Sequence, residues 1–160
     1  MKELPRGLKI ATVWLVLGTL LFLAVQAFLS ASRQTSWLIE GGGLVLQRQA
    51  DGHFHWPGRV NGRTLEFLVD TGATRTVLPG PLAERLGLEP EREVQSATAG
   101  GVVTGYEARV DLVLEGGIVV QRLRVTVLPD LRYPLLGMDV LGRLRFTQQD
   151  GRLTYEGPSR

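Results

Sequence analysis

Phe67-Leu68-Val69-Asp70-Thr71-Gly72-Ala73-Thr74-Arg75-Thr76-Val77-Leu78 is the stretch whose reading governs the rest of the chain. Phe67, Leu68 and Val69 have strand character and deliver one aspartate to the strand's end, where Gly72 permits a sharp turn beside it. Asp, Thr and Gly are also ordinary turn residues, so Asp70-Thr71-Gly72 alone is compatible with a polar turn that closes a strand. The flanks argue against that reading. A turn between solvated strands needs no apolar residues on both sides of its only acid, whereas Phe67 to Val69 and Val77-Leu78 bury this one.

A second stretch, Tyr133-Pro134-Leu135-Leu136-Gly137-Met138-Asp139-Val140-Leu141, lies more than sixty residues further on. Together and in this order, the two stretches resemble the aspartic peptidases. Asp-Thr-Gly-Ala resembles the retropepsin-like branch in particular, and Leu135, Leu136 and Gly137 resemble the apolar-apolar-Gly element near that family's C-terminal end. The resemblance covers roughly residues 44 to 156 and implies an all-β, single-lobed, retropepsin-like acid-protease barrel that works as a homodimer. It also implies a catalytic role for Asp70, supported by Thr71, Gly72, Ala73 and Thr74. Thr71 is expected to hydrogen-bond across the dimer beneath the carboxylates, and Gly72 to let its backbone N–H approach the acid. A substrate-covering flap is expected over Thr98, Ala99, Gly100, Gly101, Val102, Val103 and Thr104. Asp139 falls in a Gly-x-Asp pattern that in this family serves helix capping or subunit contacts, so a structural role is expected for it.

The chain has 160 residues, room for one domain and an appendage. Eighteen basic and sixteen acidic residues give a net charge of +2, with no Lys/Arg block interleaved with aromatics, so nucleic acid is not an expected partner. With no cysteine, disulfides, thiolate catalysis and Cys-ligated zinc are excluded. Ile10 to Leu29 is an uncharged, mainly apolar run, enough helix for about 30 Å of hydrocarbon. Lys2, Arg6 and Lys9 precede it, which by the positive-inside rule retains the N-terminus in the cytoplasm. The alternative is a cleaved signal peptide processed near Ala27 or Ser30-Ala31-Ser32. The apolar run exceeds the about 7–15 residues of an h-region, which favours an uncleaved anchor. The expected organisation is a cytoplasmic N-terminus (1–9), one transmembrane helix (10–29), a flexible tether (30–43) rich in glycine at Gly41 to Gly43, and a folded domain (44–160). That places the protein in a bacterial inner membrane, single-pass, with the domain on the periplasmic side.

Within the domain, Leu44 to Gln49 reads as a first strand ended by Asp51-Gly52, and Asn61-Gly62 is a strong two-residue hairpin signal between Trp56–Val60 and Arg63–Val69. His53 and His55 share one strand face, but no third ligand has suitable spacing, so a surface or packing role is expected and no metal or other cofactor. Pro79-Gly80-Pro81 leads into a short helix over Leu82 to Leu86, stopped by Gly87, with Leu82 and Leu86 packing under the Asp70 strand. Tyr106 to Glu115 alternates, with Ala108, Val110, Leu112 and Leu114 inward and Glu107, Arg109, Asp111 and Glu115 outward. Gly116-Gly117 turns it into Ile118 to Leu128, where Val119, Leu123, Val125 and Val127 are expected inside and Arg122 and Arg124 in water. Met138 to Leu141 reads as a short helix, followed by closing strands over Arg143 to Thr147 and Arg152 to Tyr155.

Two facing carboxylates that share a proton supply a general base and an acid from identical residues. This chain offers one such Asp, so the second has to come from a second copy of Asp70 across a two-fold axis. The expected function is a membrane-anchored aspartic endopeptidase acting on peptide or protein substrates. The alternative from another class is a non-catalytic module of the same fold that binds a peptide or an envelope protein.

Overall fold

The computed structural model describes residues 6–31, 37–40, 43–98 and 100–157. The chain divides into two compact units, Met1–Gln34 and Thr35–Arg160. The first contains helix α1 (Arg6–Ala31), whose described side chains include exposed Trp14, Leu15, Leu21 and Phe22. Among the described residues no helix is long and apolar enough to cross a membrane. The expected transmembrane helix is therefore present as a helix, without support as a span.

The second unit is all-β apart from two short helices. Its strands are β1 (Trp37–Glu40), β2 (Gly43–Gln47), β3 (His55–Val60), β4 (Arg63–Val69), β5 (Val77–Pro79), β6 (Arg92–Thr98), β7 (Gly101–Leu114), β8 (Ile118–Leu128), β9 (Leu135–Leu136), β10 (Phe146–Gln149) and β11 (Arg152–Tyr155). Helix α2 (Gly80–Arg85) follows β5, and α3 (Met138–Leu141) follows β9. One sheet has the order β1-β2-β11-β10; the other has β3-β4-β9-β5-β8-β7-β6, and an extra pairing of β3 with β7 closes it on itself. Closure pairs every strand of the ring on both sides and leaves β6 outside it, attached only along β7. Leu44, Leu46, Trp56, Phe67, Leu78, Leu112, Leu136 and Leu153 fill the core. Trp56 donates its indole N–H to the Glu115 carbonyl at 2.9 Å, so the largest core side chain leaves no polar atom unpaired.

Asn61 (φ 48°) and Gly62 (φ 80°) form the two-residue turn between β3 and β4, both with the positive φ that a twisted hairpin demands. The segment read as a tether differs from expectation: β1 lies within it and pairs antiparallel with β2, Trp37 opposite Leu46 and Glu40 opposite Gly43. The strand expected over Arg143 to Thr147 begins only at Phe146, because Leu141 to Leu144 is held in turns by N–H bonds from Gly142, Arg143 and Leu144 to the carbonyls of Met138, Val140 and Leu141.

The β7–β8 pair corrects two facing assignments, one inward and one outward. Val110 is opposite Leu123 but Leu112 is opposite Val120, so β8 carries an extra residue at this point, and Arg122 adopts φ 51°. Such a bulge shifts the two-residue alternation by one. Ile118 is thereby buried and Val119, expected inside, is left 62% exposed. The second correction is Glu107, which is buried although its strand alternation places it outside.

Candidate active site

The Asp70 strand and the C-terminal apolar stretch meet directly. β9 runs parallel to β4, with Leu68 opposite Leu135 and Val69 opposite Leu136, and Val77 of β5 is opposite Leu135 on its other side. The Asp70 N–H donates to the Leu136 carbonyl at 3.0 Å, closing the ladder at the residue where β4 ends. The turn that follows rests on the start of α3: Met138 N–H donates to the Ala73 carbonyl at 2.8 Å and Asp139 N–H to the Thr74 carbonyl at 3.1 Å. A Cβ on Gly137 would fall onto the carbonyl carbon and oxygen of Arg75, so only glycine allows the two backbones to pass this closely.

Asp139 secures that contact. Both its carboxylate oxygens accept the Thr76 N–H at 3.0 Å, and Oδ1 also accepts the Thr76 hydroxyl at 2.8 Å. The Thr76 hydroxyl oxygen in turn accepts the Gly137 N–H at 3.3 Å. Asp139 makes no cap to its own helix and instead ties α3 to the strand leaving the Asp70 turn.

Asp70 itself is half-buried, and its Oδ1 accepts the Gly72 N–H at 2.9 Å. It opens into a groove of about 790 Å³ with Gly72, Ala73, Thr74 and Leu135 beside it. Thr71 is exposed in the single protomer and does not line the groove. The opposite wall is β6, through Val94, Gln95, Ser96, Ala97 and Thr98. Of the segment expected as a flap, Thr98 lines the Asp70 groove and pairs with Gly101 at the hairpin tip, Gly101 to Thr104 belong to β7, and Ala99 lies outside the described residues. The strand that walls the groove is β6, which precedes the Gly100-Gly101 tip. Thr98 closes the tip by donating its hydroxyl to the Gly101 carbonyl at 2.8 Å.

The same groove contains a feature with no signature in the sequence. Glu107, its side chain only 6% exposed, accepts Arg92 at 3.0 Å and Arg75 at 3.2 Å and has Arg124 at 3.7 Å. These residues come from the Asp70 turn, β6, β7 and β8, and no spacing rule links them. A buried carboxylate is tolerated in this position because three guanidinium groups offset its desolvation.

The His53–His55 pair falls to a local structural role. His55 Nε2 is 2.8 Å from Asp51 Oδ2 and its Nδ1 is 3.5 Å from Glu66 Oε2, while the His53 N–H donates to Asp51 Oδ1 at 2.9 Å. That backbone bond, opposed by desolvation and aided by the His55 hydrogen bond and the nearby imidazoles, draws the Asp51 carboxyl below its ordinary value. Among the described residues no group of His, Asp or Glu has a metal-holding arrangement.

A closed, mostly antiparallel β domain with an Asp-Thr-Gly turn backed by an apolar-Gly strand is the architecture of a retropepsin-like aspartic protease. The profile of the gag-polyprotein putative aspartyl protease family matches residues 56–143, and the chain belongs to that family. A retropepsin-like aspartic protease from Rickettsia conorii is 31% identical and superposes with a TM-score of 0.60, over 72% of this chain and 99% of that one. A Sinorhizobium sp. protein described as an uncharacterized protein in the cobV 5′ region is 33% identical over 66% of this chain and 47% of its own length. Uncharacterized protein RP867 of Rickettsia prowazekii is 38% identical over 33% of this chain and 23% of its own length. The chain therefore spans less than half the length of both of these relatives.

Proposed function

We propose that this chain is an aspartic endopeptidase whose catalytic dyad forms when two protomers bring their Asp70 carboxylates together. The observation that carries the reading is a single half-buried aspartate, oriented by the Gly72 N–H, in an open groove of peptide-binding size. One carboxylate cannot be general base and proton donor at once. Two of them, sharing a proton, can: the ionised one activates a water while the protonated one polarises the scissile carbonyl. Exposure of Thr71 and Gly72 in the single protomer is consistent with a partner packing against this turn. In this reading β6 and its tip fold over bound peptide.

The same proposal places the enzyme at a bacterial inner membrane, held by the apolar segment of α1, with its domain in the periplasm. Lys2, Arg6 and Lys9 ahead of Ile10 to Leu29 support that orientation. Protease added to cells stripped of their outer barrier would then digest the chain beyond Ser30, and protection of the domain would refute the orientation.

Asp70→Asn tests dyad and dimer together, because it retains the shape of the site and removes its ionisable group. Wild-type and variant chains are refolded together at fixed total concentration. Mixed dimers contain one carboxylate and are expected to be nearly inactive, so activity should fall as the square of the wild-type fraction. A linear fall would mean that one chain suffices, and full activity of the variant would remove Asp70 from the chemistry.

A further inference from the structure

Thr74 and Arg75 line the Asp70 groove and also begin a second depression, of about 480 Å³, whose walls include Arg109, Arg122, Arg124 and Arg143. The two depressions thus adjoin at Thr74 and Arg75, and the second is dominated by guanidinium groups. Of the carboxylates nearby, Asp139 is committed to Thr76, Glu91 pairs with Arg109 at 3.0 Å, and Glu107 serves Arg75 and Arg124. Asp111 spends Oδ1 on the Arg122 backbone N–H, at 2.8 Å. Among the described residues neither Arg122 nor Arg143 forms an ion pair, and both are exposed.

We infer that the trough of Arg109, Arg122, Arg124 and Arg143 binds an acidic segment of the peptide substrate, next to the residues that occupy the Asp70 groove. The inference rests on the reading of that groove as a peptide site. Each arginine side chain is mobile and solvated, so a single contact contributes little, and selectivity comes from several charges engaged at once by a segment already tethered through the groove.

The test uses the full Asp70→Asn chain in a neutral detergent, so that binding is read without turnover. The probes are fluorescein-labelled peptides with a common apolar centre, flanked on either side by a block of glutamates or a block of glutamines of equal length. Anisotropy titration at low salt is expected to show the glutamate peptide binding about tenfold more tightly, with the gap closing toward about 1 M salt, where screening acts within about 3 Å. Adding Arg122→Gln and Arg143→Gln to the same chain should shrink the ratio to about threefold or less. The ratio is taken within one protein, so partial loss of folded material cancels. Equal affinities for the two peptides, or a ratio that the double substitution leaves intact, would overturn the inference. So would a double variant whose binding to vesicles rich in phosphatidylglycerol collapses while the peptide ratio stays unchanged, since the trough would then serve a lipid surface. Cleavage of the glutamine peptide by the chain with Asp70 intact reports separately on peptidase activity, so either reading can fail alone.

Discussion

Asp139 illustrates what a carboxylate does once its surroundings are known. Its oxygens satisfy the N–H and hydroxyl of Thr76, a residue 1% exposed, and Asp139→Ala would leave both groups buried without their partner. Losing a charge-assisted bond to buried donors costs about 1–3 kcal/mol, so the urea midpoint should fall with its slope unchanged. Gly137→Ala should be worse than its single methyl implies, because the added carbon meets the Arg75 backbone and not a yielding side chain. Asp51 has a pH signature instead. Its carboxyl is held below the ordinary value chiefly by the His53 N–H, so its contribution to stability is present above the unfolded-state value of about 3.9 and is lost as pH falls through the lower folded-state value. Thermal melts of Asp51→Asn should show a small deficit at pH 7 that disappears in acid.

In the larger sheet, β6 is the strand most exposed to perturbation, since it pairs only with β7 while every strand of the ring is paired on both sides. Glu107 lies opposite Arg92 in that ladder, and its carboxylate binds Arg92 at the base of β6, Arg75 beside the Asp70 turn and Arg124 on β8. Glu107→Gln leaves these three cations without an anion. Because the arginines are 46% to 64% exposed, solvent relieves much of the loss, and a cost of about 1–2 kcal/mol is expected. The deficit should narrow in high salt, and amide exchange in Arg92 to Thr98 should quicken more than in β7 or β8. Uniform acceleration across all three strands would show that the cluster supports the whole barrel and not β6 in particular.

For the whole molecule, the proposed shared dyad makes activity a property of assembly. A soluble fragment from Thr35 onward should lose activity per chain on dilution, because dimers dissociate. The full chain in vesicles should resist the same dilution, since confinement to a surface raises the effective concentration of protomers. If both dilute alike and without loss, the dimer is permanent and the helix contributes nothing to its assembly.

Much of this domain was legible from local chemistry. Strand, turn and acid around Asp70 follow from β propensity and from glycine, the Asn61-Gly62 hairpin from its need for two positive φ angles, and α3 from the short apolar stretch after Gly137. The two separated stretches pointed to a family, but only the structure shows that they pair, as β4 and β9. What the residues could not disclose is whatever depends on register or on several segments at once. The bulge at Arg122 inverted the facing of Val119, because one extra residue reverses a two-residue period. That β6 walls the Asp70 groove depends on how the sheet closes, which no local pattern states. Burial of Glu107 required arginines from three other segments, an arrangement that exists only after the barrel has closed and brought them within reach of one carboxylate.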